Sequence, residues 1–309
     1  MTRLDTLLSR RATGAILFVA FLLLWAALAK AYTHSWQEES RLATVQALVE
    51  QGTFAIDHTE FSRTGDKVFV NGHFYSDKTP LLSVAAAGVY AVLHNVFGLT
   101  LDAAICVPDD DPSACRAFGP AGTRLTAFYW LTLIGTGAPS ALLVALFWKA
   151  MRHLGASGRL ATGLAVALGL ASPIAPYSIV FAGHVPAALC LFAGFMLLGE
   201  HEGQFDRRDA FGAGVLISLA ANIDLTLAVF GVTLGAWLLI ARRPFVLPFA
   251  LGAAVPFALS AIVNYWAAGT IVPLYFDPQA YDFFGAVLNK TVGGTDGCYT
   301  LEFCLNYTY

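Results

Sequence analysis

Charge is scarce in this chain and nowhere concentrated. Asp, Glu, Lys and Arg make up 13% of the 309 residues, the formal net charge is −3, and no Lys/Arg-rich run occurs. Without a basic patch there is no electrostatic footprint for a phosphodiester backbone, which excludes a nucleic-acid role. Internal repeats, low-complexity tracts and flexible linkers are missing too, so residues 1–309 read as a single membrane domain. What is abundant is apolar: 57% of the side chains are hydrophobic and the mean hydropathy is +0.63. A soluble domain rarely carries that much, and the chain reads as an all-α, polytopic integral membrane protein.

Apolar segments fall at roughly 14–32, 80–97, 125–148, 160–181, 183–199, 211–241 and 246–268. A bilayer-spanning helix takes about 20 such residues, and 211–241 is long enough for two short helices with Asn222 and Asp224 at the turn, giving about eight transmembrane helices. Basic residues orient them. Arg3, Arg10 and Arg11 place the N-terminus inside, followed by inside loops at Lys149/Arg152/Arg159, Arg207/Arg208 and Arg242/Arg243, which leaves loop 33–78 and the tail 269–309 outside. Three segments before Lys149 break the parity, and the acidic loop with Asp109, Asp110 and Asp111 suits the outside, so 80–97 is expected to enter without crossing. Arg10-Arg11, an apolar run and Ala29-Lys30-Ala31 also resemble a signal peptide. The length of the run and the helices that follow favour a retained anchor. The polar close at Asn306–Tyr309 fits an N-terminal portion of a longer protein.

Of the five cysteines, Cys190 lies in an apolar segment and reads as a packing residue. Cys106 with Cys115, and Cys298 with Cys304, are disulfide candidates in an oxidising compartment such as a periplasm or ER lumen; four separate thiols are the alternative. Asn289-Lys290-Thr291 and Asn306-Tyr307-Thr308 match the N-glycosylation pattern, which matters only in a eukaryotic secretory route. Tyr265, Trp266 and Tyr275 suit an interfacial belt.

Loop 33–78 carries the chemistry. Residues 36–50 place Trp36, Leu42, Val45, Leu48 and Val49 near one helix face, with Glu39, Arg41, Gln46 and Glu50 elsewhere, predicting an interfacial helix. Glu38 and Glu39 sit in its first turn, where they either serve chemistry or merely complement the helix dipole. Lys67–Val70 and His73–Tyr75 flank Asn71-Gly72, the dipeptide that best fits a type I′ turn, and predict a small hairpin. Its return strand delivers Ser76 or Asp77 as N-cap and Pro80 as first-turn residue of the next helix. Lys78 is thereby held at a helix N-terminus, a position suited to anions. A cation there calls for a phosphate ligand, or else for pairing with Asp77 or lipid headgroups.

The order Glu38-Glu39-Ser40-Arg41, then Glu50-Gln51-Gly52-Thr53-Phe54, then Gly72-His73-Phe74-Tyr75-Ser76-Asp77-Lys78-Thr79-Pro80-Leu81 resembles the first outer loop of GT-C membrane glycosyltransferases. The resemblance is nearest to glycosyltransferase family 39 and its relatives, the protein O-mannosyltransferases and the lipid A aminoarabinose transferase. The motifs cover about seventy residues. Glu38 stands where that family has Asp, Ser76-Asp77 where it has Phe-Glu, and Thr79 where it has the first Pro. The resemblance implies a GT-C-like fold and transfer of a sugar from a polyprenyl-phosphate donor to an acceptor protein, lipid or glycan. The expected location is a bacterial cytoplasmic membrane, with the site facing the periplasm or exterior. It makes Glu38 the base, with Glu39 as its rival, and Lys78 the carrier-phosphate residue, with Arg41 beside it. Glu38, Glu39, Asp57 and His73 are the residues that could gather a Mg or Mn ion, which the reaction does not demand. His184 is a candidate or a helix-start hydrogen bonder, and Asp224 a second acid or a cap. A transporter or lipid flippase would instead line a route through the bilayer with charge, and a non-catalytic subunit would use the loop and tail for partners.

Overall fold

The computed structural model describes residues 12–30, 33, 35–101, 126–199, 205–281 and 283. Arg3, Arg10, Arg11, Ala31, Asp109, Asp110, Asp111, the four cysteines Cys106, Cys115, Cys298 and Cys304, and the sequons at Asn289 and Asn306 lie outside the described residues. The described chain is mostly helical. Its helices are α1 Ala12–Leu28, α2 Trp36–Gln46, α3 Pro80–Phe97, α4 Ala127–His153, α5 Gly158–Leu170, α6 Ile174–Tyr177, α7 His184–Leu198, α8 Arg207–Ile223, α9 Ala228–Ala241 and α10 Val246–Ala268. The strands β1 Lys67–Val70 and β2 His73–Ser76 form an antiparallel pair.

Among the described residues, three helices are long and apolar enough to cross a membrane: Pro80–Phe97, Ala127–His153 and Arg243–Ala268, of 18, 27 and 26 residues. Ala12–Leu28, Gly158–Leu170, His184–Leu198 and Leu225–Ala241 are apolar but shorter. The break expected inside 211–241 falls at Asp224, whose carboxylate accepts the Thr226 N–H at 3.2 Å and opens a short 3-10 turn before α9. The expected segment 160–181 is divided where Pro173 follows the end of α5, as a residue without an N–H and with a restricted predecessor requires. Within α4 a π-helical turn occupies Leu133–Gly137.

Contacts group the chain into two compact units, Met1–Thr33 with Gly98–Leu259, and His34–Phe97 with Ser260–Tyr309. In the first, α1 is apolar on every side yet buries only Thr13, Leu17, Phe21 and Trp25, each four residues from the last. That spacing marks one stripe of a 3.6-residue helix. Leu17, Phe21 and Trp25 pack with Ala141, Val144 and Trp148 of α4 and Ala161 and Ala165 of α5, while Ile16, Val19 and Leu23 stay exposed. An apolar surface on both the packed and the open side is what a lipid solvent permits and water does not.

Helices α8 and α10 approach through a matched pair of glycines. A Cβ on Gly214 would lie 2.1 Å from the Phe249 carbonyl oxygen, and one on Gly252 would lie 2.0 Å from that of Phe211. Each helix thus places a glycine against the other's carbonyl three residues before its own glycine, a backbone-to-backbone contact that small residues allow in membrane bundles. Gly214→Leu or Gly252→Leu is expected to destabilise the unit by about 1–3 kcal/mol through overpacking, read as a lowered Tm in detergent. Gly163→Leu is the control, because nothing stands within 4 Å of a Cβ there, and should leave Tm in place.

Candidate functional site

The second unit is built around α2, the hairpin and α3. Ser35, in extended conformation at φ −152°, precedes α2, and its carbonyl accepts the N–H groups of both Glu38 and Glu39. The helix continues through a π-helical turn, Ala47–Gln51, and closes on Gly52 at φ 68°, with the Gly52 and Thr53 N–H groups bonded to the Ala47 carbonyl. Glycine adopts that left-handed conformation without a Cβ clash, so Gly52 closes the helix predicted over 36–50.

Burial along α2 is not confined to an apolar stripe. Every residue from Ser40 to Ala47 is buried, and Glu38 and Arg41 are each only 2% exposed. A helix lying half-wet on the interface would leave such side chains in water. Here Arg41 donates from a guanidinium nitrogen to the Thr79 carbonyl at 3.5 Å, and the adjacent Ser40 Oγ meets Ser76 Oγ at 2.6 Å. Trp36 anchors the start of the helix over Gly65, where a Cβ would come within 2.5 Å of the indole, while Thr64 Oγ1 donates to the Trp36 carbonyl at 2.9 Å.

The hairpin forms as its dipeptide predicts. Asn71 and Gly72 have φ of 52° and 87°, both positive as a type I′ turn requires, and Val70 pairs with His73. This turn sets the register through to Lys67 opposite Ser76. One step further along each strand stand Asp66 and Asp77. Between them lies the Lys78 ammonium, 2.8 Å from Asp66 Oδ2 and 3.0 Å from Asp77 Oδ1. Ser76 Oγ accepts the Lys78 N–H at 3.1 Å in a turn just ahead of α3, and the Asp77 carboxylate faces the lysine. Pro80 takes the first position of α3.

Lys78 therefore has the carboxylate partner that a cation at a helix N-terminus needs, and has it twice. Asp77 is almost sealed, with its side chain 1% exposed against 24% for Asp66. Burial lifts the Asp77 carboxyl above the usual range; Lys78 pulls it back, Asp66 pushes it further, and Arg41 adds a smaller downward pull. Tyr281 completes the enclosure, its hydroxyl donating to Asp77 Oδ2 at 3.5 Å. Burial first, then the neighbouring Asp77 charge, raises the phenol. Tyr281 is carried by a segment that packs on the hairpin: Val68 clusters with Ala268, Leu274, Ala280 and Tyr281, and Phe74 meets Phe283 edge-on at 5.1 Å.

Sequence reading missed Asp66 and Tyr281. Asp66 was within reach, because extending the Asn-Gly register by one residue places it opposite Asp77. Tyr281 had no local signal. Also missed was Glu50, on the π-helical turn, which accepts from the Tyr90 hydroxyl and from Gln46 Nε2 at 3.0 Å. The metal expectation finds no gathered ligands: among the described residues no group of three or more His, Cys, Asp or Glu is placed to hold an ion. Asp57 is instead occupied in the hairpin, with His73 Nδ1 at 3.3 Å and the Phe74 N–H donating at 3.1 Å. Glu39 is half-buried on α2.

His184 and Asp224 belong to the other unit and meet each other at 2.7 Å, with the Tyr177 ring edge-on to the imidazole at 4.6 Å. Asp224 is thus both cap and partner, using one oxygen for Thr226 and the other for His184.

No protein-family model matches the chain, and no curated protein or solved structure is significantly similar to it.

The Asp224 pair has a pH signature. The hydrogen bond from His184 chiefly, opposed by burial and aided by Thr226, draws the Asp224 carboxyl down to about 2. A folded-state value below the unfolded one contributes stability above the ordinary value of 3.8, and that contribution is lost as pH falls from there through about 2. Melting followed by tryptophan fluorescence should show Tm declining over this window in the wild type. Asp224→Asn should flatten that decline, and an unchanged slope would contradict the assignment.

Proposed function

We propose that the protein is a membrane glycosyltransferase of the GT-C type, moving a sugar from a polyprenyl-phosphate donor to an acceptor on the extracytoplasmic face. The observation that carries this reading is the contact between Arg41 and the carbonyl of Thr79, the residue after Lys78. It joins the acid-and-base cluster of α2 to the lysine of the α3 entry across 38 positions of chain, and these are the two stretches that carry the family resemblance. Glu38 lies three residues before Arg41, hence on the same helix face.

In this mechanism Glu38, with Glu39 as the nearby alternative, accepts the proton of the acceptor hydroxyl. The acceptor oxygen attacks the anomeric carbon, the bond from that carbon to the phosphate oxygen breaks, and polyprenyl phosphate departs with inversion of the centre. Lys78 and Arg41 receive the charge that develops on the leaving phosphate, the role that preformed cationic donors serve best in a site shielded from water. For the donor to reach the ammonium, a carboxylate has to give way. Asp66 is the exchangeable one, being the more exposed of the pair, whereas Asp77 is fixed by burial and by Tyr281.

Transfer from a radiolabelled polyprenyl-phosphate sugar tests the roles. Glu38→Gln should lower kcat by about 10²–10⁴, the usual contribution of a general base, with a smaller change in donor KM. Lys78→Ala should raise donor KM and lower kcat together. Full activity in both variants would rule the assignment out.

A further inference from the structure

In the first unit a cavity of about 500 Å³ opens between α7 and α9, with His184 and Asp224 in its wall. That volume falls within the ~300–1,000 Å³ of ordinary small-ligand clefts. The rest of the wall is apolar, built chiefly from Leu191, Phe192, Phe195, Phe230 and Leu234. Thr233 adds little polarity, because its hydroxyl donates to the Val229 carbonyl at 2.7 Å. Phe192 is braced by Phe147, with ring centroids 5.9 Å apart. Phe195 and Phe230 remain exposed, so an apolar molecule reaches the cleft over an apolar lip.

The polar end of the cavity offers one hydrogen-bonding atom. Asp224 is ionised, hence acceptor-only, and both of its oxygens are engaged. Oδ1 accepts the Thr226 N–H at 3.2 Å and the Thr226 hydroxyl at 2.7 Å, and Oδ2 accepts from His184 Nδ1 at 2.7 Å. The imidazole therefore carries its proton on Nδ1, and the Tyr177 ring, edge-on at 4.6 Å, packs against it. In the neutral ring Nε2 is then an acceptor. Among the described residues no group bonds to that nitrogen. Head groups are sorted accordingly. An anionic head meets the Asp224 charge. An ammonium brings three donors to one acceptor and loses its hydration against apolar walls. A hydroxyl brings one donor to one acceptor.

We infer that this cavity binds a lipid alcohol, its hydroxyl donating to His184 Nε2 and its hydrocarbon chain lying between α7 and α9. Asp224 is the positioning residue, holding the tautomer that keeps Nε2 an acceptor, as a carboxylate does for histidine in catalytic triads. The site belongs to the first unit and does not rest on the glycosyltransferase reading of the Lys78 loop.

The test is displacement of tritiated dodecanol from the whole chain in detergent at about pH 8.5, where an imidazole is neutral, by ligands of one chain length and different heads. Unlabelled dodecanol should displace the label at a mole fraction about fivefold below that of dodecyl methyl ether, the factor one neutral hydrogen bond contributes. Dodecanoate and dodecylammonium should be weaker than dodecanol. In Asp224→Asn, Thr226 keeps the amide oxygen, the amide nitrogen donates to His184 Nδ1, and the ring proton moves to Nε2, which then donates to alcohol and ether alike. The preference for the alcohol should vanish there, and also in His184→Phe, where the nitrogen is gone. A pair that serves only the fold would lower Tm in these variants and leave the preference as it was, which overturns the proposal. So do the absence of saturable dodecanol binding, equal displacement by alcohol and ether in the wild type, and stronger displacement by the anion or the ammonium. If neither variant yields monodisperse protein, Ala188→Leu narrows the cavity without altering the pair and should raise the dodecanol midpoint severalfold. An unmoved midpoint overturns the proposal as well.

Discussion

A lysine ammonium leaves water only where opposite charge is waiting, and the order of the second unit turns on how that charge is supplied to Lys78. The Asn71-Gly72 turn sets the hairpin register, the register sets Asp66 opposite Asp77, and the pair encloses the ammonium at 2.8 and 3.0 Å. Ser76 accepts the Lys78 N–H in the turn before α3 and meets Ser40 of α2. Arg41, the fully buried cation of the cluster, then reaches the Thr79 carbonyl. Desolvation of two charges in one place costs several kcal/mol per ion, so the arrangement persists because every member has a partner. The upward shift of Asp77 shows that burial still outweighs the attraction of the lysine. A cluster so balanced holds a cation ready for an incoming anion without leaving it bare.

Much of this unit was legible because its signals are local. Asn-Gly between strand-favouring residues specifies the turn, Gly52 ends the helix in the left-handed conformation, and Pro80 opens the next one. The break at Asp224 was legible for the same reason, since a short acid followed by Thr can bond its own backbone two residues on. The burial of Glu38 and Arg41 was not legible. A helical wheel sorts residues by polarity, and it does not show that Arg41 meets the Thr79 carbonyl from 38 positions away. Tyr281 joins Asp77 across 204 positions and His184 joins Asp224 across 40, separations at which a single sequence carries no pairing signal.

The first unit follows the other constraint, that of a chain whose solvent is lipid. Its α1 stripe packs on one side and remains apolar on the other, and α8 meets α10 through glycines placed against carbonyl oxygens. The His184–Asp224 pair lies where α7 begins and α8 ends, and Arg207, Arg208, Arg242 and Arg243 lie where α8 begins and α9 ends. The three longest helices meet the length and apolarity that crossing a membrane asks for. Those are the physical grounds for reading the protein as membrane-embedded.

The central claim is that Lys78 exchanges the Asp66 carboxylate for a donor phosphate, and a double-mutant cycle on donor affinity tests it most directly. Binding of polyprenyl phosphate is measured for wild type, Asp66→Asn, Lys78→Met and the double variant, with Asp57→Asn as control for net charge. The account predicts that Asp66→Asn tightens binding more than Asp57→Asn does, and that the gain disappears in the Lys78→Met background. A gain of equal size with and without Lys78, or no gain at all, would contradict it.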